Sequence, residues 1–150
     1  MAITKVTRHN TPAWKAKRGS AQTGILDATS TTIVFDSEEL DTDSAYDTST
    51  GIFTLPSGKD GSYMVGGALR TNMSGAATRV SLSIDVEGTE VAQFNNDQSS
   101  NGEASTGVHA VVDLTAGDEV KLVFYQDSGG AVNAESANGK TYFYGYKIIT

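Results

Sequence analysis

Three acidic residues in one short stretch are the first candidates for chemistry. Asp41, Asp43 and Asp47 lie within seven residues of one another, and calcium in proteins takes roughly six to eight oxygen ligands. The stretch lacks the D-x-D-x-D-G order and the distal glutamate of an EF-hand loop. We therefore interpret it as a solvated acidic loop and predict no metal and no other cofactor. Calcium binding at Asp41–Asp47 stays open as the alternative.

Residues that act as general bases or nucleophiles are scarce in the rest of the chain. The sequence has no cysteine, and its two histidines are His9, near the N-terminus, and His109, inside a predicted strand. No nucleophile elbow, dinucleotide-binding glycine motif, phosphate-binding loop or zinc-protease motif occurs. These observations predict a protein that is not an enzyme.

Charge is distributed unevenly along the chain. Residues 1–18 contain five basic side chains and no acid, whereas residues 19–150 contain eighteen acids and six bases, a net charge of −12. A basic arm on an acidic body could bind nucleic acid or the acidic surface of a neighbouring subunit. The arm contains one aromatic residue, and its five charges need not form a continuous basic stripe. These features favour a protein partner over nucleic acid. No apolar run approaches the ~18–20 residues of a membrane span, so we expect no membrane partner.

Short segments of alternating or β-branched composition predict strands separated by turns. The Glu87-Gly88 and Thr115-Ala116-Gly117 sequences predict two hairpins, and residues 95–106 and 127–139 have the composition of surface loops. No window carries a helical stripe, and short strands at this spacing are typical of a sandwich or jelly roll. The predicted strands are 31–36, 51–56, 62–72, 79–88, 89–94, 107–114, 118–127 and 140–150.

A series of short motifs resembles the globular C1q domain of the C1q/TNF-like superfamily. In order they are PAWKA (12–16), IVFD (33–36), YDTSTGIFTLP (46–56), GSY (61–63), LTAGDEV (114–120) and the terminal YFYGY (142–146). The resemblance covers about residues 12–149 and depends on their shared order and spacing. It implies an all-β, ten-stranded jelly-roll sandwich over residues 12–150, and the charge distribution leaves residues 1–11 as a basic N-terminal arm. The resemblance also implies a homotrimer around a three-fold axis.

The terminal strand carries aromatic residues on both of its faces. Tyr142, Tyr144 and Tyr146 share one face, and Phe143 lies on the other. A jelly-roll strand has one side facing the core, so a second aromatic side indicates that another surface covers it. We predict that these four residues form the trimer interface. The alternative is that the tyrosine hydroxyls reach solvent at the rim of the sheet.

The resemblance also carries an expectation about function. The chain shows neither a collagen repeat nor the apolar region of a secretory leader, and a C1q-like domain with a short arm is similar to the modules of bacteriophage virions. This implies a structural protein at the capsid surface of the virion. We expect a capsid decoration (cement) protein whose arm binds the major capsid protein or another virion protein through Ile3, Lys5, Val6 and Arg8. The alternative is a head spike or tail-fibre tip that binds a host receptor or glycan.

Overall fold

The structure is a computed structural model, and it describes residues 11–136 and 139–148. All regular elements in these two ranges are β-strands, paired antiparallel into two sheets. The predicted all-β class is therefore confirmed, with thirteen strands in place of ten because several are only two or three residues long. They are β1 (Ala13–Lys17), β2 (Gln22–Ile25), β3 (Thr31–Thr32), β4 (Ser37–Asp41), β5 (Tyr46–Asp47), β6 (Ile52–Thr54), β7 (Gly61–Met73), β8 (Ala77–Val86), β9 (Thr89–Gln98), β10 (Gly102–Leu114), β11 (Glu119–Gln126), β12 (Val132–Ala134) and β13 (Tyr142–Lys147).

The seven-stranded sheet is organised around β7. This strand pairs along its whole length with β10 on one side, and with β13 and then β12 on the other side. The remaining strands extend outward in the orders β13-β1-β4 and β12-β2. The second sheet has six strands in the order β5-β6-β11-β8-β9, with β3 also paired to β11. β7 therefore determines where the terminal strand β13 lies.

The core between the sheets is centred on a cluster of aromatic rings. Trp14 stacks on Phe53, with ring centroids 3.7 Å apart and planes 9° apart, and Phe143 meets the indole edge-on at 5.6 Å. Gly145 is the register partner of Trp14 on the neighbouring strand, and a methyl group at Gly145 would overlap the indole ring. The glycine of the terminal motif is thus explained by the ring that covers it.

One of the two predicted hairpins is confirmed, and the other is wrong. Glu87-Gly88 joins the paired strands β8 and β9, and both residues have positive φ (52° and 78°), as a type I′ turn requires. Thr115–Gly117 does not form a hairpin, because β10 belongs to the seven-stranded sheet and β11 to the six-stranded one. The turn instead crosses between the sheets, and the Gly117 N–H donates to the Leu55 carbonyl.

Three segments differ from the predicted pattern. The predicted loop 95–106 is mostly strand, since β9 continues to Gln98 and β10 begins at Gly102. The predicted loop 127–139 contains β12. The predicted strand 31–36 is paired only at β3, although Ile33 and Phe35 are fully buried. The strand ends within 95–106 belong to the edge strands β9 and β10 and are mostly polar and exposed, so they carry no hydrophobic alternation. β12 is an inner strand with buried Val132 and Ala134, but its three residues are too few to give a pattern.

Candidate functional site: the outer face of the seven-stranded sheet

The three tyrosines of β13 lie side by side on the sheet face that points away from the core. The rings of Tyr142 and Tyr144 are 6.1 Å apart and tilted by 34°. Their register neighbours on β7 and β10 are mostly small or apolar. Tyr142 neighbours Ala68 and Gly107, Tyr144 neighbours Gly66 and His109, and Tyr146 neighbours Met64 and Val111. We call this surface, from β13 across β7 to β10, the tyrosine face.

Gly66 shapes the middle of the tyrosine face. A Cβ atom at Gly66 would lie 3.0 Å from the Tyr144 hydroxyl oxygen and 2.9 Å from the Cβ of His109. Because glycine has no side chain, Tyr144 can lean across β7 toward β10. A broad surface results where a side chain at position 66 would form a ridge.

The tyrosine face is aromatic at its centre and partly open to solvent. Burial raises the pKa of the Tyr144 hydroxyl above its ordinary value, and the neighbouring Tyr142 and Tyr146 add to the shift. The Tyr144 hydroxyl is therefore neutral at physiological pH. Tyr146 remains 45% exposed and Val111 57% exposed. Exposed apolar and aromatic side chains in one continuous area are typical of a surface that binds another protein.

Phe143 does not belong to this surface, which corrects one of the four predicted interface residues. Its side chain is 0% exposed and contacts the rings of Trp14, Phe35 and Tyr46 in the core. Period-two alternation explains the difference, since Phe143 points inward between two outward-pointing tyrosines. The interface prediction continues to apply to Tyr142, Tyr144 and Tyr146.

A second apolar area lies at the edge of the six-stranded sheet and was not predicted. Phe94 of β9 is the register partner of the fully buried Leu82 and so faces the same side, yet it is 50% exposed. Val91, at the irregularity in the β8–β9 pairing, is 43% exposed. The sandwich is thus open at this edge, and we call these two residues the β9 edge patch.

The acidic loop has structural roles for all three of its aspartates. The Asp41 carboxylate accepts hydrogen bonds from the backbone N–H groups of Asp43, Ala45 and Tyr46, at 2.7 to 3.1 Å. Asp47 accepts from the N–H and hydroxyl of Ser49, and these bonds lower its pKa. Asp43 pairs with Lys59 at 3.4 Å. Within the described ranges no three His, Cys, Asp or Glu side chains are grouped as metal ligands. The carboxylates stabilise the turn that positions Tyr46 in the core.

Three of the five N-terminal basic residues belong to the folded domain. Lys15 and Lys17 both pair with Glu39, at 2.9 and 2.8 Å. Arg18 is 7% exposed, donates to the Val34 carbonyl and lies 3.8 Å from Asp36. Of the five basic residues in 1–18, only Lys5 and Arg8 fall within the arm predicted at residues 1–11. The four predicted arm contacts, Ile3, Lys5, Val6 and Arg8, lie outside the described residues.

The comparisons with known proteins agree with this architecture. A two-sheet antiparallel sandwich is the architecture of the jelly rolls of the C1q/TNF-like class. The family model of the C1q domain matches residues 13–148, and the chain belongs to this family. In the part of the chain that the structure describes, no helix is long and apolar enough to cross a membrane.

Solved structures confirm the jelly-roll fold at low sequence identity. The globular domain of zebrafish complement 1qA protein superposes with a TM-score of 0.67 at 17% identity, covering 92% of this chain and 98% of that one. Eiger TNF from S. frugiperda has a TM-score of 0.72 at 15% identity and 94% coverage of both chains. Murine APRIL has a TM-score of 0.69 at 10% identity, covering 93% of this chain and all of that one. No match was found among curated protein sequences.

Proposed function

We propose that this protein is a homotrimeric, non-enzymatic structural protein of a virus particle, a decoration protein that stabilises the capsid. The observation that carries the trimer is the tyrosine face. It places Tyr142, Tyr144 and Tyr146 on the outside of the sheet, with exposed Val111 beside them. Such an area is hydrophobic enough to be stabilised by contact with a second copy.

Two different apolar surfaces fit a three-fold assembly. A ring of three identical subunits uses a head-to-tail interface, in which one patch of each subunit contacts a different patch of the next. The tyrosine face and the β9 edge patch lie on different sheets and are both partly exposed. We infer that Phe94 and Val91 of one protomer pack on the tyrosine face of its neighbour.

The capsid role is supported by the charge and apolar content of the N-terminal segment. Lys5 and Arg8 precede a body with a strong excess of acid, and Ile3 and Val6 alternate with them. An extended segment of this kind can add as a strand to a sheet edge of a capsid protein or pair with its acidic groups. A trimer presents three such segments, so weak individual contacts combine into firm attachment.

Deletion of residues 2–11 tests the capsid role. The truncated protein is added to particles that lack the protein, after light scattering has shown that it is still a trimer. A variant with residues 2–11 replaced by glycine and serine is the control for the length of the segment. We expect both variants to lose particle binding, and the binding of the intact protein to weaken as salt rises. Undiminished binding of the truncated trimer would contradict the decoration role and favour a spike or fibre tip attached through its body.

A further inference from the structure

A pocket lies at the edge of the seven-stranded sheet, where β13 meets β1 and β4. Its volume is about 270 Å³, and it is lined by Lys15, Lys17, Glu39, Gly139 and Tyr142. Sites for drug-sized ligands commonly measure roughly 300–1,000 Å³. The pocket therefore has room for one ring-sized group.

A β-bulge aims Glu39 into this pocket. In the pairing of β1 with β4, Leu40 is opposite Lys15 and Glu38 is opposite Ala16, so Glu39 is the extra residue between them. Bulges bend a strand and redirect a side chain, and they are over-represented next to functional sites. Here the bulge places one carboxylate between the two lysines of the neighbouring strand.

The pocket carries a local positive charge on an acidic body. Glu39 Oε1 is 2.8 Å from Lys17 Nζ, and Glu39 Oε2 is 2.9 Å from Lys15 Nζ. The hydrogen bond from Lys17, then that from Lys15, lowers the pKa of Glu39 and keeps it ionised. Two ammonium groups and one carboxylate leave one net positive charge. Each ammonium has three donors, and each pairing uses one of them.

We propose that this pocket binds an acidic sugar, the carboxylated ring of a hexuronate. The sugar carboxylate pairs with the free donors of Lys15 and Lys17, and the ring hydroxyls donate to Glu39. The less polar face of the ring lies against Tyr142, in keeping with ligand sites that combine an aromatic wall with a few placed polar groups. All five lining residues belong to one protomer, so the site does not depend on the capsid role. Tyr142 also belongs to the tyrosine face, so the proposal requires that the neighbouring protomer of the trimer leaves the β1 side of Tyr142 uncovered.

The first test is a titration of the full-length protein with D-glucuronate, in which backbone amide chemical shifts report binding. We expect saturable shifts at Gly139 and Tyr142 with a dissociation constant on the order of 1 mM, and a much smaller response to uncharged D-glucose. Lys17→Gln should weaken glucuronate binding at least about fivefold, since one charged partner is lost. Lys121→Gln is the matched control, because Lys121 is also a strand lysine paired with a carboxylate, Asp85, at 3.5 Å on the other sheet.

The Glu39→Gln variant distinguishes a sugar-binding site from a site that binds any anion through its positive charge. Acetate, which has no hydroxyls, should bind this variant more tightly than it binds the unaltered protein, because the competing carboxylate charge is gone. Glucuronate loses its hydroxyl acceptor, so the ratio of glucuronate to acetate affinity should fall. An unchanged ratio, an equal loss in Lys121→Gln, or no saturable shift at the pocket would overturn the proposal. Light scattering on each variant shows whether any loss accompanies a change of oligomeric state.

Discussion

At the scale of single residues, contacts between strands explain the glycines of the aromatic motifs. Gly145 is required by the indole of Trp14 on the core side of β13, and Gly66 by Tyr144 on the outer side of β7. Sequence alone indicates that a glycine interrupts an aromatic run. It does not indicate which ring lies over it, because that ring is supplied by a strand more than a hundred residues away in the case of Trp14.

Gly145→Ala should destabilise the domain. The added methyl group overlaps the indole, and the stacked Trp14–Phe53 pair has to shift, so we expect a loss of about 1–3 kcal/mol in the free energy of unfolding. Gly19→Ala is the control, because a Cβ atom at Gly19 makes only ordinary contacts of 3.4 Å or more. Urea denaturation of both variants measures the difference. Equal stability of the two variants would show that the ring packing does not constrain Gly145.

At the scale of elements, the sequence predicted the long strands that bury one face and missed strand segments that are polar or very short. The alternating runs of β7, β8, β10 and β11 were found near their observed positions, as was the turn at Glu87-Gly88. The end of β9, the start of β10 and the whole of β4 are polar and gave no alternating signal, and β12 is only three residues long. The error at Thr115–Gly117 has another cause, since alternation says which residues are buried but not which sheet a strand joins.

The alternation of side chains along a strand also made part of the candidate site predictable. Period two places Tyr142, Tyr144 and Tyr146 together, but the sequence could not say which side of β13 faces the core, and Phe143 was assigned wrongly. The β9 edge patch and the pocket at Glu39 could not be predicted. The first depends on where the two sheets part, and the second on a bulge in the β1–β4 register.

The Phe94→Ser variant tests whether the β9 edge patch belongs to the trimer interface. Because Phe94 is half exposed in the single chain, its loss should leave the fold intact, while the trimer loses an aromatic contact typical of interface hot spots. We expect a shift from trimer to monomer in analytical ultracentrifugation at micromolar concentration. Leu26→Ser is the control, since Leu26 is equally apolar and 60% exposed but belongs to neither patch. A Phe94→Ser protein as firmly trimeric as the Leu26→Ser protein would remove β9 from the interface.

At the scale of the whole molecule, the account depends on the trimer. A second copy that covers both would explain the tyrosine face and the β9 edge patch together, and a stable interface of standard size buries about 800 Å² on each partner. The proposed decoration role also depends on the trimer, because three N-terminal segments combine weak individual contacts into firm attachment.

The molar mass of the purified protein in solution is the most direct test of this central claim. The chain has a mass of 15.7 kDa, so multi-angle light scattering at micromolar concentration should give three times that value, about 47 kDa. The mass should not fall when the sample is diluted through the micromolar range. A stable species of 15.7 kDa would contradict the account, because the tyrosines of β13 would then face solvent with no partner.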